Sequence, residues 1–202
     1  MEFLLLASAH FLALLSPGPD FFIVVQTALK KPLRHAIFVC LGITCANAIY
    51  LVIAVLGLEV IKSFQGLLLF LKYTGGAYLV FLGYRLIKAP KIVLEVEQKK
   101  NEYVGELSVL TDFIKGFLSG FLNPKNVIFY LSLFTVMVSV QTTLFTKSWY
   151  ALWMCSMVLL WDILLSLLVG QKRIKQHLSK WIYVIEKISG VVLATFGILL
   201  VW

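Results

Sequence analysis

Long apolar stretches recur six times along the chain, and polar residues cluster between them. A membrane-spanning helix needs about 20 consecutive, mostly apolar residues, so each stretch is predicted to cross a membrane once. The predicted spans are residues 3–29, 36–58, 66–87, 113–138, 148–169 and 181–202. The predicted fold class is therefore an all-α polytopic membrane protein with six transmembrane helices.

The composition agrees with this pattern and argues against a soluble fold. Hydrophobic residues occupy 60% of the 202 positions and charged residues 14%, whereas a soluble domain carries about 25% charged residues. One transmembrane domain is predicted over residues 1–202, with halves at about 1–87 and 113–202 joined by a polar loop at 88–112. The first stretch is expected to remain as a helix rather than to be a signal peptide, because Glu2 replaces the usual basic segment.

The net charge of +8 is interpreted as a signal of membrane topology rather than of nucleic-acid binding. The first, third and fifth connections carry three, five and four Lys and Arg residues, whereas the second and fourth carry one each. Because Lys and Arg collect in cytoplasmic loops, the first, third and fifth connections are predicted to be cytoplasmic. The third connection is the loop at 88–112. Both termini are then predicted to lie outside.

The two halves of the chain share features in the same order. Prolines interrupt the first span at 16–20 (SPGPD) and the fourth span at 123–126 (NPKN), and a Gly-x6-Gly pattern occurs at 76–83 and 190–197. Three spans per half is an odd number, so a repeat places the halves in opposite orientations, as in many transporters. We predict two inverted three-helix repeats; the alternative is chance similarity between Leu-rich helices.

The two proline breaks are the main candidates for a binding site. A helix cannot continue through them, because proline lacks an amide hydrogen and clashes with the preceding turn. Freed backbone groups are tolerated inside a membrane only where protein or a water-filled cavity meets them. Each helix that restarts after a break presents amides and a positive dipole end, which suit a carboxylate. The predicted substrate-binding residues are Pro17, Gly18, Pro19, Asp20, Asn123, Pro124, Lys125 and Trp161.

Ionisable residues inside the spans are the second group of candidates. Each costs about 2.5–3.5 kcal/mol at the membrane centre, so such residues usually face an interior, pair with one another or mark a transport pathway. The residues predicted to couple protons or to act as buried charges are Asp20, Lys72, Asp162 and Glu186. Structural alternatives remain for three of them, since Asp20 can cap a helix and Lys72 and Glu186 can pair or reach the membrane surface.

Small residues within the spans are interpreted as contacts that let helices approach closely. The glycines predicted to pack helices are Gly42, Gly75, Gly76, Gly83, Gly116, Gly120, Gly190 and Gly197. The three cysteines and three histidines are scattered, so no metal site, cofactor or disulfide framework is predicted. No phosphate-binding GxxxxGK[ST] motif occurs in the sequence.

Three motifs resemble those of the LysE/RhtB family of bacterial amino-acid exporters. Residues 17–19 match its Pro-Gly-Pro signature, residues 75–83 resemble its GAxYLxxLG segment, and residues 116–125 resemble its segment that ends in Asn-Pro-Lys. The order, the spacing and the six-span layout match over nearly the whole chain. Two departures stand out, since Asn47 lies where the family often has an acid, and Asp20 lies where it often has Asn.

The resemblance implies a secondary exporter, not an enzyme, that moves amino acids or close derivatives out of the cytoplasm. It further implies proton antiport with alternating access in a bacterial cytoplasmic (inner) membrane. The implied partners are the amino acid, protons and the lipid bilayer; nucleic acid is not expected, and a homo-oligomer is left open. The alternatives are export of another small solute or a metal ion, a membrane thiol–disulfide electron carrier, and a structural membrane subunit.

Overall fold

The computed structural model describes residues 1–15, 17–61, 63–90, 108–169 and 172–199; the side chains at 60, 61, 67, 68, 124, 172–182, 185 and 186 lie outside the described set. The described residues form eight α-helices and no strand. The helices are α1 (Glu2–Leu14), α2 (Pro19–Lys30), α3 (Leu33–Ile61), α4 (Gln65–Lys88), α5 (Val109–Phe121), α6 (Pro124–Met137), α7 (Leu144–Val169) and α8 (Lys172–Leu199).

Every predicted span contains helix, and the predicted all-helical class is confirmed for the described residues. The first span corresponds to α1 with α2, and the fourth to α5 with α6. Among the described helices, α3 (over Leu33–Glu59) and α7 are each long and apolar enough to cross a membrane, and α1 with α2 qualifies as a bent pair. Six crossings therefore remain a prediction.

Helix α8 begins earlier than the sixth predicted span. The span was predicted from residue 181, whereas the helix starts at Lys172, so basic residues assigned to a connection lie within a helix. Hydropathy locates the apolar part of a helix, but Lys and Arg are themselves good helix formers. The predicted loop at 88–112 falls mostly on residues 91–107, which lie outside the described residues.

Both prolines that follow the breaks begin a new helix. Pro19 is the first residue of α2 behind an extended Gly18 (φ −128°, ψ −171°), and Pro124 is the first residue of α6 behind Asn123. Proline suits this position, because the first amide of a helix has no partner within the helix. The axes of α1 and α2 differ in direction by 56°.

Glycines mark the closest helix contacts. Helices α4 and α8 run antiparallel, since a Cβ on Gly190 would lie 2.7 Å from the Gly83 carbonyl oxygen and a Cβ on Gly197 would lie 2.6 Å from that of Gly76. Helices α3 and α5 run parallel and approach closely at Gly42 and Gly116, where an added Cβ would overlap the backbone of the neighbouring helix.

Two other predicted packing glycines also face neighbouring helices. A Cβ on Gly75 of α4 would lie 2.9 Å from Val136 Cγ2 of α6, and one on Gly120 of α5 would lie 3.0 Å from Ala46 Cβ of α3. Only small residues permit such short distances between helix backbones.

Charged side chains connect the helices at both ends of the molecule. At one end, Lys31 Nζ and His35 Nδ1 each lie 2.6 Å from the Asp112 carboxylate, which ties the first connection to the start of α5. At the other end, Lys147 Nζ lies 2.6 Å from Glu59 Oε1 and ties α7 to α3. The first and third connections therefore share one end, as the predicted topology requires.

Candidate functional site

A polar cavity of about 60 Å³ lies where the two broken helices meet. It is lined by residues of the two hydrophobic clusters that form the core, such as Ala13 and Tyr130 of one and Phe21 and Ile43 of the other. The predicted site residues that line it are Gly18, Asp20, Asn123, Lys125, Trp161 and Asp162. Pro17 and Pro19 are not among the described lining residues, and Pro19 and Pro124 are the first residues of α2 and α6, which carry several of them.

The cavity joins the two breaks directly. A Cβ on Gly18 would lie 3.9 Å from Lys125 Nζ, so the ammonium group of the second break reaches the backbone of the first. Lys125 is half-buried at the start of α6. These two residues belong to separate breaks that lie more than 100 positions apart in the sequence, and the fold brings them together.

Asp20 is held by residues from α5, α6 and the second break. Its Oδ1 accepts a hydrogen bond from Ser119 Oγ at 2.6 Å, and its Oδ2 accepts from Asn126 Nδ2 at 2.9 Å and Asn123 Nδ2 at 3.3 Å. Asn126 Nδ2 also donates to Asn47 Oδ1 of α3 at 3.0 Å. Through these hydrogen bonds to both of its oxygens, Asp20 fastens the first break to the second.

Side chains also satisfy backbone groups that the second break frees. The Tyr50 hydroxyl donates to the Phe121 carbonyl at the end of α5, and Asn126 Nδ2 lies 3.3 Å from the Gly120 carbonyl. Since lipid offers no hydrogen bonds, such carbonyls need protein partners. The break is therefore a stable part of the fold rather than a local distortion.

The helix N-termini at the two breaks differ in their capping. At α6, Asn123 Oδ1 accepts a hydrogen bond from the Lys125 amide at 3.1 Å, so the amides expected to be free after the second break are partly used. At α2, no described side chain caps the helix that begins behind Gly18. The capacity to bind a carboxylate therefore lies mainly at the start of α2, next to the Lys125 ammonium.

Asp162 lines the same cavity from α7. Its side chain is buried, and its Oδ2 has no hydrogen-bond partner among the described residues. Asp162 thus differs from Asp20, whose two oxygens are both engaged. The neighbouring Trp161 is half-buried against the ring of Phe11, with ring centroids 6.4 Å apart, and also lines the cavity.

The two remaining predicted charges are Lys72 and Glu186. Lys72 is exposed on α4 and lines a separate groove together with Glu2. This position near a helix end allows its long side chain to reach polar surroundings, so the structure does not place it among the buried charges. Glu186 lies within α8, and its side chain is outside the described residues.

Several residues that contribute to the site were not among the predicted candidates, and Asn126, Ser119 and His10 are examples. Asn126 and Ser119 bind Asp20, and His10 lines the cavity from α1. Asn126 follows Lys125 directly, so its proximity to the break was an available signal. Ser119 and His10 are single polar residues in apolar helices, and only the packing of the helices shows which way they face.

The described residues contain no group of three or more His, Cys, Asp and Glu side chains that could hold a metal ion. Cys40 is buried beside Ser166, Cys155 is half-buried, and Cys45 is exposed. None of the three cysteines lines the cavity. The metal-export and thiol–disulfide alternatives therefore gain no support from the described part of the chain.

Comparisons with known proteins place this chain in a transport family. The family model of the LysE type translocator matches residues 11–202. A threonine efflux protein of Escherichia coli K12 is 34% identical over the whole chain and 98% of its own length, and one of Salmonella typhi is 31% identical over the same shares. A membrane protein of Bacillus subtilis is 28% identical over 90% of each chain. No solved structure matches the chain.

Proposed function

Since the chain belongs to the family of LysE type translocators, we propose that it exports threonine or a similar small amino acid. The chain is a transporter and not an enzyme, as the sequence predicted. Its full-length similarity to two threonine efflux proteins supports an amino acid as the substrate. The observation that carries the proposal is the cavity in which an ammonium group, uncapped helix amides and a buried carboxylate converge.

The chain is a bacterial membrane protein, since its relatives include named bacterial membrane proteins and its helices are strongly apolar. We propose six crossings of the inner membrane as two inverted three-helix repeats. The pairing of Gly83 with Gly190 and of Gly76 with Gly197 supports the repeat. In the repeat, position 76 corresponds to 190 and position 83 to 197. Exchanging the two halves therefore turns the contact between 83 and 190 into the contact between 197 and 76, as two-fold symmetry requires.

The proposed binding mode uses opposite charges for the two ends of the amino acid. The substrate carboxylate lies at the amides that begin α2, with the Lys125 ammonium as its counter-charge. The substrate ammonium binds Asp162 Oδ2, because the Asp20 oxygens already accept hydrogen bonds from the protein. Charge-assisted hydrogen bonds of this kind are about twice as strong as neutral ones.

Asp162 is also the proposed proton carrier. A carboxylate that binds either the substrate ammonium or a proton, but not both, couples export of the amino acid to proton entry. Asp162 suits this exchange because its buried Oδ2 has no partner among the described residues. Glu186 remains a second proposed carrier, and Lys72 a proposed charge of the pathway outside the cavity.

The size of the cavity supports alternating access. A volume of about 60 Å³ has room for a few water molecules, and we propose that the helices move apart to admit an amino acid. The ion pairs Lys31–Asp112 and Lys147–Glu59 close opposite ends of the helix bundle. We propose that one end opens while the other stays closed, through relative rocking of the two halves.

Replacement of Lys125 tests this function. Lys125→Ala removes the counter-charge of the substrate carboxylate, so we expect threonine export from loaded proteoliposomes to fall about 10- to 100-fold, the loss typical of a hydrogen bond to a charged group. The matched control is Lys115→Ala, which removes an exposed ammonium group from α5 and should leave export unchanged. Unaltered export by Lys125→Ala, at equal amounts of inserted protein, would contradict the proposed site.

A further inference from the structure

His10 is a buried polar side chain that the proposed binding mode does not use. It lies on α1, is only 1% exposed and lines the same cavity as Lys125 and Asp162. Neither of its ring nitrogens has a hydrogen-bond partner among the described residues. A buried polar group without a partner is unfavourable, so a purely structural role would favour an apolar residue at this position.

Aromatic side chains hold the imidazole on three sides. Its ring centroid lies 6.0 Å from those of Tyr130 and Trp153 and 6.3 Å from that of Phe129. These rings restrict the orientation of the imidazole and offer apolar surface beside it. A ligand group that fits here combines a hydrogen-bonding atom with a small apolar part.

His10 and Lys125 line the same cavity, and α6 connects their surroundings. Phe129, which packs against the imidazole, lies one helical turn after Lys125, about 6 Å along the axis of α6. The imidazole and the Lys125 ammonium therefore border one space, in which a substrate bound through its carboxylate would place its side chain. In the proposed binding mode, Lys125 binds the carboxylate of the substrate and Asp162 binds its ammonium group. The side chain of the substrate is then the part that His10 can bind.

We propose that His10 is a specificity-determining residue that binds the side-chain hydroxyl of the exported amino acid. A neutral imidazole has one hydrogen-bond donor and one acceptor, and a hydroxyl can serve as the partner of either. The surrounding rings contact the methyl group that threonine carries beside its hydroxyl. The inference rests on the proposed function and deepens it, because it explains how the site selects threonine over valine, which has the same shape but no hydroxyl.

Competition between threonine and valine tests the inference. The full-length purified protein is reconstituted into proteoliposomes, and unlabelled threonine or valine competes with labelled threonine for exchange. In the unsubstituted protein we expect threonine to compete about tenfold better than valine, the effect of one well-made hydrogen bond. Equal competition by the two amino acids would overturn the inference without any variant.

Substitutions at position 10 then identify the responsible side chain. His10→Leu and His10→Phe should bring the threonine-to-valine ratio to about 1, whereas His10→Gln, which keeps a donor and an acceptor, should retain part of the preference. The matched control is Ser8→Ala, which removes an exposed hydroxyl from the same helix and should leave the ratio unchanged. A preference that persists in both apolar variants would overturn the inference.

The outcomes also separate this inference from the proposed function. If the protein exchanges threonine but its preference for threonine over valine does not depend on position 10, the export function stands and the role of His10 is overturned. No exchange of threonine by the unsubstituted protein overturns the proposed function, and the inference about His10 fails with it.

Discussion

Two aspartates at one site differ in their hydrogen-bond partners, and the roles proposed for them differ accordingly. Asp20 accepts hydrogen bonds from Ser119, Asn123 and Asn126 and joins the two breaks. Asp162 keeps one buried oxygen without a described partner, which makes it the better candidate to exchange a proton for a substrate ammonium. At the scale of single residues, function therefore follows from the partners of a charge more than from its presence within a span.

A third aspartate, Asp112, predicts a pH-dependent stability outside the apolar spans. Burial raises its pKa, but hydrogen bonds and charge from Lys31 and His35 outweigh this effect and hold the pKa below its usual value of 3.8. The ionised carboxylate therefore stabilises the fold above pH 3.8, and this contribution is lost as the pH falls through the lower pKa of the folded state.

Replacement of Asp112 should reveal this contribution. Asp112→Asn is expected to lower the free energy of unfolding by about 1.5–3 kcal/mol at neutral pH, and the difference from the unsubstituted protein should shrink below about pH 4. Thermal unfolding in detergent across this acid range measures both effects. Adding Lys31→Met should cost little more than Asp112→Asn alone, because the two residues share one interaction; fully additive losses would contradict the pairing.

At the scale of elements, the two breaks show how a membrane helix can stop and restart. Each new helix begins with a proline, at Pro19 and Pro124, where the missing amide costs nothing. The carbonyls at the end of α5 gain partners such as the Tyr50 hydroxyl. The energetic cost of the second break is therefore offset by side chains from a neighbouring helix.

The contact between α4 and α8 requires glycine at position 83, because no larger side chain fits there. A Cβ on Gly83 would overlap the Gly190 carbonyl oxygen, so Gly83→Ala should lower the free energy of unfolding by about 1–3 kcal/mol, as overpacking does. Thermal unfolding in detergent measures the loss.

Gly57 provides the matched control for this substitution. It lies within α3 with nothing within 4 Å of an added Cβ, so Gly57→Ala should be neutral or stabilise by up to about 1 kcal/mol through the better helix propensity of alanine. Equal effects of the two substitutions would show that α4 and α8 do not pack through Gly83.

At the scale of the whole molecule, the ends of the helix bundle differ in charge and in the contacts that close them. Lys31 and His35 meet Asp112 at the end that carries the first and third connections, and Lys187 Nζ donates there to the Leu86, Ile87 and Ala89 carbonyls at 2.5–3.1 Å. A lysine near a helix C-terminus offsets its negative dipole end. These contacts lie at the end of the bundle whose connections the charge pattern predicts to be cytoplasmic.

Reporter fusions test this orientation in the intact chain. A reporter that is active only in the cytoplasm should give a signal when it is inserted within residues 91–100 and none when it is inserted at 63–64 or joined to either terminus. A reporter that is active only outside should give the opposite pattern. A cytoplasmic signal from the connection at 63–64 would contradict the predicted topology.

Much of the architecture could be predicted from local sequence. Apolar runs located the apolar part of each described helix, and prolines located both breaks, because hydropathy and the missing proline amide act on their immediate neighbours. The start of α8 at Lys172 was missed, since hydropathy marks the apolar part of a helix and not its first turn.

The sequence by itself determined the helical class, the two breaks, the asymmetry of basic residues and the resemblance to a family of exporters. Only the tertiary structure decided which polar residues meet. It brought Gly18 to Lys125, engaged both oxygens of Asp20, left Asp162 and His10 facing the cavity, and set Lys72 apart. The physical reason is that each helix forms through bonds between near neighbours, whereas the direction in which a side chain points is set by how distant helices pack.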